Sequence, residues 1–237
     1  MIETYHRPAT LEQALALLDS DDAAVLAGGT TLIATGGPST VVDLQDLGLD
    51  TISLDGSRIR VGAMARLRDF AGSDLVPQSL RELARREAPN TIRNAATVGG
   101  TIASGDSESE LLAGLLVYET VVTTINPGGT AEAGLSEYLD SRPAGIITGI
   151  SIAAGGGAST ARTGRTPADR PIVMAAARRA EDGTVLLAFT GIDSTPRLVD
   201  PAAVAQLDPP ADFRGSAAYR QHLARVLGAR VIAGLQQ

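Results

Sequence analysis

Thr91 to Val122 reads TIRNAATVGGTIASGDSESELLAGLLVYETVV, and the order of its parts decides the fold. A short run of alternating character carrying Gly99-Gly100 leads into a polar loop and then a long apolar segment, which reads as strand, ligand-approach loop, helix. Glycine has no Cβ, so it allows φ > 0 and lets backbone N–H groups approach an anionic or polyhydroxylated ligand. The same grammar recurs at Val25 to Leu32, VLAGGTTL. Two such loops suggest one extended ligand, although a Gly-Gly pair after an apolar run also serves simply as a turn.

Working outward, residues 1–48 read as a strand-helix-strand unit. Thr10 and Gln13 have capping-box spacing, and Leu11, Ala14, Leu15 and Leu18 share a helical face. Strands follow at Ala23 to Ala27 and, beyond the turn Gly36 to Pro38, at Thr40 to Leu44. Alternation around Asp55-Gly56 then predicts a hairpin. Helices are expected at Arg66 to Phe70 and at Gln78 to Ala88, the second with Arg81, Arg85 and Arg86 on a solvated face, before Pro89 ends it.

Ser107 and Glu110 repeat the capping-box spacing, with Leu111, Leu112, Leu115 and Leu116 on the buried side of the helix that follows. Strands are expected at Tyr118 to Ile125 and Ala144 to Ile152, with Asn126 to Gly129 a turn. The glycine-rich run Ala153 to Arg165 reads as a linker and places a domain boundary between 157 and 158. Beyond it, Pro171 to Ala180 suits a strand or a buried helix, and the β-like segment Thr184 to Phe189 favours a sheet. Ala217 to Leu235 is an amphipathic helix with Leu223, Val226, Leu227, Val231 and Leu235 on one side. The organisation is therefore 1–157, in subdomains of about 1–48 and 49–157, followed by 158–237.

The chain has 237 residues and a formal net charge of −7. Its dispersed arginines form no basic stripe, which argues against nucleic-acid binding. Cysteine is absent and the histidines are His6 and His222, so thiolate chemistry, iron–sulfur ligation and a His-rich metal site have no basis on this chain. No nucleophile elbow, Walker loop or dinucleotide fingerprint is present. Redox or transfer chemistry would have to come from an organic cofactor. With no apolar run long enough to span a bilayer and no signal segment, a cytoplasmic location is expected.

Five segments in order, YHRPATLEQALALL, AGGTTLIA, IRNAATVGGTIASGDSESELLAGLLVYETVV, GRTPADRPIV and DFRGSAAYRQHLARVLGARVI, resemble the FAD-binding medium subunit of the molybdenum hydroxylases. That family includes carbon monoxide dehydrogenase, xanthine dehydrogenase and related aldehyde or heteroaromatic oxidases. The resemblance implies an α+β fold: a two-subdomain FAD-binding domain of the vanillyl-alcohol oxidase/MurB type, followed by a small α+β C-terminal domain. By position, Ala27, Gly28, Gly29, Thr30, Thr31 and Leu32 would form the first cofactor loop. Thr97, Gly99, Gly100, Thr101 and Ala103 would form the second, with Ser109 and Glu110 meeting the polyol hydroxyls.

Asp106, Glu108 and Glu110 would repel a pyrophosphate, so Glu110 is expected at hydroxyls, alongside a helix-capping role. Arg165, Asp169 and Arg170 match the segment that in the family lies beside the isoalloxazine ring; surface ion pairs are the other reading of these charges. Tyr219 and Arg220 read as structural. The sequence departs from the family pattern at Thr101, in place of asparagine, at Glu110, in place of aspartate, and in a shortened segment between Ile33 and Val41.

The resemblance implies an electron-transfer subunit with no catalytic side chain and no metal of its own. FAD would take electrons from two 2Fe-2S iron–sulfur clusters on a small partner subunit, fed by a large molybdopterin subunit in a dimer of heterotrimers, and deliver them to an external acceptor. A flavin-free scaffold subunit of the same complex and a stand-alone MurB-like flavin reductase are the alternatives.

Overall fold

A computed structural model describes residues 2–20, 22–164, 166 and 169–236. The chain opens with β1 (Thr4–His6), α1 (Leu11–Leu17), β2 (Ala23–Leu26) and β3 (Thr40–Asp43). The three strands form a parallel sheet in the order β1-β3-β2. Thr10 caps α1 by accepting from the Gln13 N–H at 3.2 Å, while the Gln13 side chain accepts from Ala9 N–H at 3.0 Å.

Next come β4 (Ile52–Asp55), β5 (Arg58–Gly62), α2 (Leu67–Gly72), α3 (Gln78–Glu87), α4 (Asn90–Arg93), α5 (Val98–Ser104) and α6 (Glu110–Val117). They are followed by β6 (Val121–Asn126), β7 (Gly129–Gly134), α7 (Leu135–Ser141) and β8 (Ile146–Ala153). The second sheet is antiparallel, ordered β4-β5-β8-β6-β7. The third, β12-β11-β10-β9, combines β9 (Gly157–Thr163), β10 (Val173–Arg179), β11 (Val185–Thr190) and β12 (Arg197–Leu198), and α8 (Ala217–Gly234) closes the chain.

Alternation along β10 explains why its run Val173 to Ala177 is apolar throughout. Val173, Ala175 and Ala177 pack with Leu223, Ala224, Leu227 and Val231 of α8, whereas Met174 and Ala176 join the core that contains α6. A strand buried on both faces shows no polar period. Helix α6 is enclosed in the same way: all residues from Glu110 to Val117 are buried, as expected of a helix packed on every side. Leu80 and Leu83 of α3 close on Gly114, where a Cβ would come within 2.3 Å of Leu83 Cδ1.

Several expectations are corrected. The run bearing Gly99-Gly100 is the helix α5, because Thr97 caps it by accepting from Gly100 N–H at 3.0 Å. The cap of α6 is Ser109 rather than Ser107; its hydroxyl accepts from Leu112 N–H at 3.1 Å. Strand β6 starts at Val121, since Tyr118 closes α6 and Glu119 takes φ of 50°. The expected linker Ala153 to Arg165 contains β9, whose Gly157 pairs with Arg179. Gly156, at φ of 92°, makes the sharp entry to that strand where a Cβ would meet the Arg179 carbonyl at 2.4 Å, so these glycines serve a turn. Val226 is 41% exposed, off the buried face of α8. The elements α4, β7 and α7 have no counterpart in the sequence reading.

Candidate functional site

All three parallel strands deliver their carboxyl ends to one cleft: Arg7 follows β1, Ala27 follows β2 and Gln45 follows β3, and all three line it. Ligands in open α/β sheets bind at such ends. The cleft holds about 430 Å³, and its other walls include Gly28, Asp50, Arg66, Asn94, Ala95 and Thr97.

Loop Ala27 to Leu32 crosses this end. Gly29 has φ of 69°, a conformation that glycine adopts freely. The loop closes in a turn in which Ile33 N–H donates to the Gly29 carbonyl at 3.1 Å. Among the described residues, the N–H groups of Gly28, Gly29, Thr30, Thr31 and Leu32 have no protein acceptor. Unpaired successive amides of this kind suit an anion. They are the observation by which a dinucleotide diphosphate fits the site.

The second loop is built differently. Val98 N–H donates to the Ala65 carbonyl at 2.9 Å, Gly99 N–H to Ala63 at 2.8 Å and Thr101 N–H to Thr97 at 3.0 Å. With Gly100 held by the Thr97 hydroxyl, these amides serve the protein itself. Gly99 is glycine for packing, since a Cβ there would lie 2.7 Å from the Ala63 Cβ. Of the second set, Thr97 lines the cleft, Gly100 and Thr101 are half-buried and Ala103 is exposed.

Ser109 is buried, and the buried Glu110 faces two arginines: Arg162 Nε at 3.1 Å and Arg86 Nε at 3.5 Å. Burial raises the Glu110 pKa against the lowering effect of Arg86 and Arg162. The neighbouring acids are paired too, Asp106 with Arg170 at 2.6 Å and Glu108 with Arg214. Asp106, Glu108 and Glu110 thus form a ladder of acids that fastens the loop after α5 to the third sheet and its flanking turn. Glu110 lies outside the lining of the cleft, and its carboxylate is engaged by the ladder.

Asp169, with Arg170, Ile172, Phe213 and Arg214, lines a second pocket of about 240 Å³. Arg165 lies outside the described residues. Thr97 caps α5 at the first cleft, and Arg170 and Arg214 meet Asp106 and Glu108 just past its end. The two cavities therefore stand near opposite ends of a helix about 10 Å long, an arrangement suited to one extended ligand. Phe213 is 95% exposed beside the second pocket.

Arg220 is structural, as expected: buried, it donates to the carbonyls of Ile172 at 2.9 Å and Gly191 at 2.7 Å and pairs with Asp212. Tyr219 is 43% exposed. Sequence reasoning missed Arg7, Gln45, Asp50 and Arg66, whose only signal is their position just before or after a strand or helix.

Residues 1–152 match the family described as the FAD binding domain in molybdopterin dehydrogenase, and the chain belongs to that family. The protein YgfM of Escherichia coli strain K12 is 30% identical over 256 residues, spanning 100% of this chain and 98% of YgfM. Subunit alpha of the 6-hydroxypseudooxynicotine dehydrogenase complex of Paenarthrobacter nicotinovorans is 29% identical over 273 residues, covering 94% of this chain and 91% of that subunit. A chain of carbon monoxide dehydrogenase from Hydrogenophaga pseudoflava has the same fold, with a TM-score of 0.90 at 23% identity over 100% of this chain and 98% of that one.

The protein is an FAD-binding oxidoreductase subunit of the molybdenum hydroxylase class. Among the described residues, no helix is long and apolar enough to cross a membrane, and no group of three or more His, Cys, Asp and Glu side chains could hold a metal.

Proposed function

We propose that this chain carries electrons from the iron–sulfur clusters of a small partner subunit, through FAD, to an external acceptor. A large molybdopterin subunit oxidises the substrate, and the assembly is a cytoplasmic dimer of heterotrimers. The observation that carries the reading is the row of amides from Gly28 to Leu32 without acceptors among the described residues, at the carboxyl ends of three parallel strands. FAD supplies the electron-transfer chemistry that the side chains lack.

The chain's own residues bind and orient. Loop Ala27 to Leu32 holds the diphosphate, while Thr97 at the head of α5 fixes the approach of the second loop. Asp169 and Arg170 stand at the far pocket, where their charges bias the ring's potential: a cation favours an anionic reduced state and an anion opposes it. Residues 1–157 act as a two-subdomain FAD domain of the vanillyl-alcohol oxidase/MurB type, and 158–237 form the C-terminal domain, latched on by the acid ladder.

The test is to purify the chain with whatever assembles on it in its native cells. FAD together with molybdenum and iron in the same particle is the expected result. Partners without flavin would leave this chain a scaffold, and an active flavin-loaded monomer without partners would make it a stand-alone reductase.

A further inference from the structure

We infer that the guanidinium of Arg66 is the cation that neutralises the dinucleotide diphosphate in the cleft at the ends of the parallel strands. The inference rests on the reading of that cleft as an FAD site and adds to it a residue for which neither the family resemblance nor the loop pattern gives a role.

Arg66 pairs through its backbone with Thr97 in an isolated antiparallel bridge. Its position beside the cap of α5 places it in the wall that also contains Gly28 and Thr97. Its side chain is exposed, and among the described residues it makes no ion pair or hydrogen bond. The other charges of the cleft differ. Arg7 is held by Asp46 at 2.6 Å and Asp69 by Arg68 at 3.1 Å. Asp50 is an acid and opposes an anion. Among the described residues, Arg66 is therefore the unpaired cation of the cleft.

A cation is needed here for two reasons. The unpaired amides of Gly28 to Leu32 offer partial charges only, whereas a diphosphate brings full ones. The protein as a whole carries −7, so its long-range field opposes an incoming dinucleotide, and a local arginine reverses that field at the mouth of the site. Arginine suits the task because its planar fork can hold two phosphate oxygens at once.

The experiment compares the wild-type chain, R66Q and R66K by equilibrium dialysis with FAD, and with ADP as competitor, at low and high salt. R66Q is expected to bind both FAD and ADP about tenfold more weakly, as follows from losing one charge-assisted hydrogen-bonded contact. Its affinity should also fall less steeply with salt than that of the wild type, and R66K should recover part of the loss. The thermal midpoint of R66Q without ligand should match the wild type, since the side chain has no partner among the described residues.

R66Q with wild-type affinity and salt dependence would overturn the inference and leave the FAD reading standing. So would weaker binding accompanied by a lowered midpoint, which would make Arg66 structural. A wild-type chain that binds no FAD would remove the site itself, a failure seen before any variant is compared.

Discussion

A Cβ on Gly28 would lie 2.0 Å from the carbonyl oxygen of Ala95. The two glycine-bearing loops are therefore in backbone contact, and each fixes the other. Gly28→Ala should push them apart, with a stability cost of about 1–3 kcal/mol, the usual range for overpacking, and FAD affinity should fall at least tenfold. Gly36 has open space around it, so Gly36→Ala should cost only the strain of its positive φ, about 1 kcal/mol, and should keep FAD. Thermal unfolding and FAD titration of both variants check this.

Arg178 is 2% exposed, yet it holds the Val117 carbonyl at 3.2 Å, the Gly155 carbonyl at 2.8 Å and Glu119 at 2.7 Å, with its guanidinium 5.0 Å from the centre of the Tyr118 ring. It satisfies the carboxyl end of α6 from a strand of the third sheet. Arg178→Met should destabilise the chain by about 2–4 kcal/mol, the range for opening a buried charged network. Denaturant unfolding measures it.

Asp212 is held below the usual carboxylate pKa, chiefly by its hydrogen bond from Arg220. Because the folded value lies below the unfolded one, its stabilisation is complete above the unfolded value and is lost as pH falls through the folded value. Asp212→Asn should therefore melt lower than the wild type at neutral pH, with the difference shrinking below about pH 4. A difference independent of pH would contradict the pairing.

Glu110 behaves in the opposite sense, since burial holds its pKa above the usual value. Its charge therefore costs stability at pH above the folded value, and the cost disappears as pH falls through that value towards the unfolded one. Relative to the wild type, Glu110→Gln should gain in melting temperature as pH rises from about 4 to 7. Melting curves of the cofactor-free chain across that range provide the check.

Helices α1, α3 and α8 and the hairpin around Asp55-Gly56 were legible because one face of each meets water and the other does not, so their period shows. Helix α6 was legible from its leucines, but its cap was misplaced: Ser107 and Ser109 are both polar residues before an apolar run, and only packing selects Ser109. Gly99 illustrates the limit at the site. Its sequence pattern speaks of ligand approach, whereas its contact with Ala63 gives it a packing role. Arg66 and Asp50 were invisible for the reverse reason, because a single charge next to a strand or helix end resembles any solvated residue until the fold turns it into a cleft. The acids after α5 were visible in the sequence, but their pairing was not, because their arginine partners lie elsewhere along the chain.

The cofactor released by acid from the purified chain, after incubation with FAD and removal of the excess, measures the diphosphate site most directly. One FAD per chain, lost in Gly28→Ala and kept in Gly36→Ala, is the predicted result. A wild-type chain that retains no flavin, or that holds FMN as tightly as FAD and so ignores the diphosphate-linked half, would contradict it.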